Sequence, residues 1–416
     1  MIIHSARQLV TCASRGPKRG EAMRDVGLIE DGAVVIHGDR IAAVGPGTDL
    51  LRQYPDEARI DATGKVICPG FVDPHTHAVY AGERITEFEL RIRGASYMEI
   101  MNAGGGIAST MRATRDASLD ELIAQSRRRL DTMLRLGTTT AEIKSGYGLD
   151  TPTEIKMLRA IQQLAQTHPI TIVPTFLGAH AVPPEYRGQT DAYVDLVVDE
   201  MTPAVAAEFS AAFADTPFFI DVFCEDGVFT VEHSRRVWDA GRRHGMAIKA
   251  HVDEFKALGG TGAAIAAGAT SVDHLDVTGA DEIAVLAASQ TIGVILPAVN
   301  FNLGSAHFAD ARAMLDAGAA LALATDINPG SAPCPSMPLV MAIACRYQRL
   351  LPAEALNAAT INAACAIGLG ERVGSIEVGK QADLLILDAS DYRLLMAEFG
   401  ANRVERVIAR GVLVEH

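Results

Sequence analysis

No basic run longer than Arg127-Arg128-Arg129 occurs in this sequence. Lys and Arg total 37 against 51 Asp and Glu, a formal net charge of -14. Such a chain lacks the electrostatic footprint of a protein that binds nucleic acid or an anionic membrane surface. No stretch approaches the ~18 apolar residues of a membrane span. The segment from Met1 to Gly16 has no long apolar core, so it does not read as a signal peptide. There is also no C-x-x-C pair. The six cysteines, Cys12, Cys68, Cys224, Cys334, Cys345 and Cys365, are scattered among apolar neighbours, as reduced thiols are in a reducing compartment. These absences point to the cytoplasm, with neither nucleic acid nor membrane as a partner. Short repeats and low-complexity segments are absent too.

The 416 residues, 49% of them hydrophobic, suffice for one large core and a smaller one. Both ends of the chain read as short strands and turns. Residues 33–45 predict two strands around Gly38-Asp39, residues 382–388 predict another, and residues 404–414 hold two more around Gly411. Neither end can bury a core alone. Residues 1–64 and 367–416 are therefore expected to pack together as one discontinuous, β-sandwich-like domain.

Residues 65–366 alternate apolar strands with amphipathic helices. Ser118 and Glu121 spell a capping box, and apolar residues from Leu119 to Leu134 recur at near-helical spacing. Gly137 supplies the stop, and the β-branched Thr138-Thr139-Thr140 opens the next strand. About eight strands read this way, ending near His75, Lys144, Thr175, Phe223, His251, His274, Leu296 and Asp326. That number of βα units predicts an α/β fold, a (β/α)8 TIM-like barrel. A doubly wound open sheet has the same periodicity and stays the alternative.

Residues 65–73 predict one strand that runs into Pro74-His75-Thr76-His77. Positions i and i+2 of a strand share a face. His75 and His77 can therefore share one cation, imidazole being a common ligand of zinc, iron and nickel. Alone, an H-x-H pair is equally a hydrogen-bonded strand pair. Its position strengthens it, because barrel strands converge on one mouth at their C-terminal ends. Other strand ends offer His251, with Glu254 three residues on, then His274, then Asp326. A lone strand-end Asp is usually a turn former and a lone His polar lining, but four such ends together are poorly explained that way. Of the 12 histidines, His4, His37, His168, His233, His244, His307 and His416 fall in helices, loops or ends and read as ordinary residues. The other five, His180 included, fall at strand ends.

At this point the chain resembles the amidohydrolase superfamily. The likeness lies in the P-G-F-V-D-P-H-T-H stretch at 69–77, in His251, His274 and Asp326, and in the terminal stretch 374–384. Narrower features resemble the imidazolonepropionase family within it: Gly104-Gly105-Gly106-Ile107, residues 142–148, residues 175–186 and residues 324–331. The likeness covers nearly the whole chain, and no motif position departs from the pattern. It implies a metal-dependent hydrolase that opens the cyclic amide of 4-imidazolone-5-propanoate to N-formimidoyl-L-glutamate in histidine degradation. It also implies one divalent ion per chain, zinc or iron. A homodimer is compatible with the likeness, although the residues carry no interface signal.

The ligand set implied is His75, His77, His251 and Asp326, with a position left for water. A bound divalent ion lowers the pKa of water from ~15.7 to about 7 in favourable sites. A second ion would call for a bridging lysine carboxylate on the fourth strand, and residues 218–225 contain no Lys. Glu254, expected one helical turn past His251, is the candidate general base and then proton donor to the leaving nitrogen; a plain surface Glu is the alternative. His274 is expected to orient the water or steady the oxyanion, and a role as ligand stays open. Arg84 follows the H-x-H pair by a short loop and suits bidentate pairing with the propionate arm. Arg91 and Arg93 are rivals by position, and only the resemblance favours Arg84. Tyr147 and His180 are candidates to hydrogen-bond the ring or its product. Asn328, Gly330 and Ser331 either bind substrate or product or simply form a turn. Gly104, Gly105 and Gly106 suit a loop that approaches the ligand, or are simply flexible.

Two rivals remain. A deaminase of a small heterocyclic base would use His251, Glu254, His274 and Asp326 equally well but has no need of an arginine placed like Arg84. A silent scaffold homologue would have lost ligands that are all present here.

Overall fold

A computed structural model describes residues 1–95, 99 and 105–415. Gly104 and His416, singled out above, lie outside the described residues.

Both chain ends enter one sheet. Its order runs Val412–Val414, Val404–Ala409, Leu384–Leu387, Val66–Pro69, Ile2–Val10, Leu28–His37 and Arg40–Pro46, with Arg59–Asp61 added beside Ile2–Val10. The sheet curls so that its edge strand Arg40–Pro46 meets the residues leading into Leu384–Leu387, where Arg40 bridges Gln381 and Ile41 N–H donates to Lys380 O at 3.0 Å. Strand alternation then sorts side chains by face. Ile67, Leu384, Ile386 and Ile408 join Ile3, Leu9 and Val34 inside the curl. Val66, Cys68, Leu385 and Leu387 face the other way, into the main core. The sandwich-like unit is thereby packed onto the barrel by its own strand pattern.

The single strand expected over residues 65–73 is in fact two. Val66–Pro69 pairs antiparallel with Leu384–Leu387 in the terminal sheet, while Phe71–Asp73 is the first barrel strand, parallel to Thr138–Lys144. Gly70 makes the crossing. Its N–H donates to Asp383 O at 3.0 Å, and a Cβ there would stand 2.1 Å from Thr139 Oγ1. The sequence conceals the crossing because both halves are buried on both faces and neither alternates.

The barrel path continues through Thr171–Ala179, Phe219–Cys224, His251–Val252, Ser271–His274, Ile292–Ile295 and Leu321–Leu323, with Ala247–Ile248 as an extra short segment beside Phe219–Cys224. Every pair is parallel and the order is sequential, without the reversal that defines a doubly wound sheet. The last strand returns to the first through Asp326 N–H to His75 O at 3.1 Å and His77 N–H to Ile327 O at 3.0 Å. The fold is a TIM-like barrel.

Helices hold the strands from outside. In Leu119–Arg135 the expected capping box forms, with Glu121 N–H donating to Ser118 Oγ at 3.3 Å and Ser118 N–H to Glu121 Oε2 at 2.9 Å. Leu122, Leu130, Met133 and Leu134 are its buried apolar stripe. Among the described residues no helix is long and apolar enough to cross a membrane, and all six cysteines are free thiols.

Candidate metal centre

His75 and His77 follow the first barrel strand on one side of the chain. His251 on the fifth strand, His274 at the end of the sixth and Asp326 just past the eighth close around them. His75 Nε2 is 3.5 Å and His77 Nε2 3.4 Å from Asp326 Oδ1, and His251 Nε2 is 3.4 Å from His77 Nε2. One ligand atom each from His75, His77 and Asp326, and likewise from His75, His251 and His274, lies within 4.8 Å of the others. All five residues are buried. His274 and Asp326 hold φ of +85° and +51°, values an L-residue adopts when its surroundings impose them.

His75 Nε2 and Asp326 Oδ1 have no hydrogen-bond partner. Buried polar atoms are rarely left that way, and lone pairs converging on one point are what a cation requires. Burial, reinforced by neighbouring Lys144 and histidines, holds His75, His77 and His274 well below the usual histidine range. They are neutral imidazoles with a lone pair to give. Burial pushes Asp326 well above the usual carboxylate range, a shift that a nearby divalent cation would reverse. Neutral imidazoles with a carboxylate are a donor set for zinc and similar borderline ions.

Beneath the histidines lies a charged layer that the sequence reading missed. His75 Nδ1 donates to Asp273 Oδ2 at 2.7 Å. A carboxylate can only accept, so the proton is on Nδ1 and Nε2 is bare. His251 Nδ1 lies 2.9 Å from Asp221 Oδ2, off the ideal hydrogen-bond direction. Lys144 Nζ donates to Asp221 Oδ2 and to Glu142 Oε1, both at 2.8 Å. Lys249 Nζ donates to Ser271 Oγ at 2.6 Å and stands 3.4 Å from Asp273 Oδ2. Burial opposes the Lys144 charge, but Asp221, Glu142 and Asp273 outweigh it and raise its pKa. Burial likewise opposes the Asp221 charge, and His251 and Lys144 hold that carboxyl well below its usual range. The available signal was ionisable residues in or between short barrel strands: Glu142, Lys144, Asp221 and Asp273 within strands, and Lys249 between Ala247–Ile248 and His251–Val252.

The helical turn expected between His251 and Glu254 does not form. Residues 253–256 bend, and Asp253 takes a left-handed φ of +54°. The Asp253 carboxylate accepts from Thr261 Oγ1 at 2.8 Å and Thr278 Oγ1 at 2.9 Å. Glu225 accepts the N–H groups of Phe255 and Lys256. This bend brings Glu254 Oε2 to 3.7 Å from His274 Nε2. Burial, then the charges of Asp326, Asp276 and Glu225, pushes Glu254 well above the usual carboxylate range.

Other singled-out residues surround this group. His180 stacks on His77 with ring centroids 4.9 Å apart, and its Nδ1 donates to Gly146 O at 2.9 Å. Burial and His251 lower the His180 pKa to about 3. The Tyr147 ring is 5.7 Å from His77 and 5.2 Å from His180. Arg84 donates through Nε and Nη2 to Glu87 Oε2, at 2.8 and 2.6 Å. Glu87 Oε1 in turn accepts Gly106 N–H at 2.9 Å. Gly330 lies against Arg84 so closely that a Cβ would stand 2.1 Å from Nη1. Arg91 Nη2 donates to Gly330 O at 2.9 Å, whereas Arg93 is exposed and pairs with Glu89. Asn328 holds its own turn together: Oδ1 accepts from Gly330 N–H and Ser331 N–H at 2.8 Å, and Nδ2 donates to Asp326 O at 2.8 Å and to Ser331 Oγ at 2.9 Å. One rigid turn therefore links Asp326 to the arginine contact at Gly330.

Residues 66–414 match the Amidohydrolase family, and residues 32–56 match an imidazolonepropionase-like composite domain of bacteria. Curated relatives include the imidazolonepropionase of Chloroflexus aggregans, 58% identical over 100% of this chain and 98% of its own length. That of Herpetosiphon aurantiacus is 54% identical over 99% of this chain and 96% of its own. Among solved structures, guanine deaminase from C. acetobutylicum with bound guanine is similar with a TM-score of 0.73 at 17% identity, over 100% of this chain and 99% of that one. At that identity the likeness speaks for the fold alone.

Proposed function

This chain belongs to the imidazolonepropionase family of the amidohydrolases, hydrolases of C–N bonds, and from that premise we propose how its residues divide the reaction. The reaction is hydrolysis of the cyclic amide of 4-imidazolone-5-propanoate to N-formimidoyl-L-glutamate, a step of histidine degradation. The observation that carries the reading is the convergence of His75, His77 and Asp326, with His251 beside them, next to Glu254, whose side chain is 11% exposed.

His75, His77, His251 and Asp326 would hold one divalent ion, zinc or iron. Bound there, the ion supplies Lewis acidity, making a water acidic enough to attack near neutral pH. Glu254 accepts the proton of the attacking water and passes it to the leaving ring nitrogen. His274 steadies negative charge on the carbonyl oxygen. Tyr147 and His180, packed beside His77, hold the ring. Arg84 binds the propionate, and Asn328, Gly330 and Ser331 shape the turn on which that arm rests. A cytoplasmic location goes with this reading, supported by the free thiols, as does a homodimer, supported by the family alone. The proposed division is a composite domain of residues 1–64 plus 367–416 and a barrel of residues 65–366; the two separate sheets support two units, with Val66–Pro69 belonging to the terminal sheet and Phe71–Asp73 opening the barrel.

The test is consumption of freshly prepared 4-imidazolone-5-propanoate, followed by loss of its ultraviolet absorbance. Turnover is expected, with none on guanine, adenosine or cytosine. Deamination of one of these without imidazolone turnover moves the reading to a deaminase on the same barrel. The arm contact has its own test. Arg84→Ala is expected to raise KM about 10- to 100-fold, the size of a lost charge-assisted contact, with a smaller change in kcat. Gly330→Ala is expected to raise KM the same way, because its Cβ would displace the Arg84 guanidinium. Unchanged KM in both variants shifts the role to Arg91.

A further inference from the structure

We propose that Lys144 is a positioning residue of the metal centre, its one buried ammonium joining the two carboxylates that orient His75 and His251. The inference rests on the metal-dependent reading above and goes beyond it, since Lys144 is not itself one of the proposed ligands.

Asp221 Oδ2 is shared: it accepts from Lys144 Nζ at 2.8 Å and stands 2.9 Å from His251 Nδ1. Asp273 Oδ2 is shared as well: it accepts from His75 Nδ1 at 2.7 Å and stands 3.9 Å from Lys144 Nζ and 3.4 Å from Lys249 Nζ. Ser271 Oγ donates to the other Asp273 oxygen at 2.6 Å. The same strand holds the backbone of the H-x-H pair. Lys144 N–H donates to Thr76 O at 3.0 Å, Thr76 N–H donates to Glu142 Oε2 at 3.3 Å, and Thr76 Oγ1 donates to Glu142 O at 2.6 Å. Lys144, Glu142, Asp221, Asp273 and Lys249 are all completely buried.

Three carboxylates thus meet two ammonium groups, with no water-exposed atom to screen them. A buried carboxylate that loses its cation turns toward whatever donor remains, because an unpaired buried charge is costly. Outer partners of ligand histidines set ring orientation, and their loss commonly weakens metal binding about 10- to 100-fold. Removing Lys144 takes the cation from Asp221 Oδ2, while Oδ1 keeps the N–H groups of Val222 and His251 at 2.7 and 3.2 Å, and leaves Lys249 as the one ammonium beside Asp273. The rings of His251 and His75 are then no longer fixed relative to each other. A lysine that only stabilised the fold would lower the melting temperature and leave the metal site of the folded protein as it was.

The experiment uses the full chain and Lys144→Met, which keeps length and burial and removes the charge. Zn2+ affinity is measured by competition with a chromophoric chelator, and the visible absorption of the Co2+-loaded protein reports ligand geometry. The expected result is zinc binding about 10- to 100-fold weaker, with shifted Co2+ bands, in a variant that is folded by circular dichroism. Asp221→Asn is expected to weaken zinc in the same range. Should Lys144→Met not fold, Lys144→Met combined with Glu142→Gln removes one positive and one negative charge and is read the same way. A folded variant with wild-type zinc affinity and an unchanged Co2+ spectrum overturns the proposal while leaving the metal-dependent reading intact. A wild-type protein that binds no zinc and no iron overturns both.

Discussion

Glu254→Gln is expected to keep its metal and lose about 10²- to 10⁴-fold in kcat, the usual contribution of a positioned general base. The substitution keeps the shape of the side chain and removes its ability to take a proton. Metal content is expected to stay the same, because the proposed ligands are His75, His77, His251 and Asp326. Activity is also expected to follow pH in a defined direction. Burial and the surrounding carboxylates of Asp326, Asp276 and Glu225 raise the Glu254 pKa, and a bound cation draws it part of the way back. The base works only when deprotonated, so kcat/KM rises with pH through this pKa. That rising limb is expected to vanish in Glu254→Gln. Wild-type turnover in the variant, with metal content confirmed, assigns the proton to another group, and His274 is the nearest candidate at 3.7 Å.

Removal of the metal is expected to cost most of the turnover. Chelator treatment should lower turnover at least about 10³-fold, because the metal supplies the acidity that water lacks at neutral pH, and added zinc or iron(II) should restore it. The stripped protein should also melt at a lower temperature. Ligand binding at a thousand times Kd adds about 4 kcal/mol to stability. Without the ion, His75 Nε2 and Asp326 Oδ1 face each other unpartnered in a buried site. Parallel measurements of metal content, melting and rate check all of this. Full activity in a chain shown to be free of metal would end the hydrolytic reading set out above.

How much of this was legible in the sequence differs by level. The barrel was, because βα units repeat and strand C-termini meet at one mouth. The convergence of His75, His77, His251, His274 and Asp326 was, because each closes an apolar run. The charged layer below was not read: Glu142, Lys144, Asp221, Lys249 and Asp273 come from separate barrel segments, and only three-dimensional closure reveals that they face one another. The path to Glu254 was misread because the spacing of three suits a helical turn, whereas side-chain bonds from Thr261 and Thr278 to Asp253 impose a bend. The crossing at Gly70 was hidden because strands buried on both faces lack alternation. The contact of Arg84 with Gly330 joins segments far apart in sequence, so no local pattern announces it.

The crossing at Gly70 also sets a timetable for synthesis. The strand that delivers His75 and His77 continues directly from Val66–Pro69, whose neighbour in the terminal sheet is Leu384–Leu387. On a ribosome adding about 5–20 residues per second, the second of these emerges on the order of tens of seconds after the first. For that interval the nascent chain carries His75 and His77, two of the proposed ligands, a few residues past a strand with an unpaired apolar edge, the kind of edge that invites aggregation. Asp326 is itself made late. Truncations that remove Leu384–Leu387 should therefore fail first in yield of soluble protein, before any defect in chemistry can be measured.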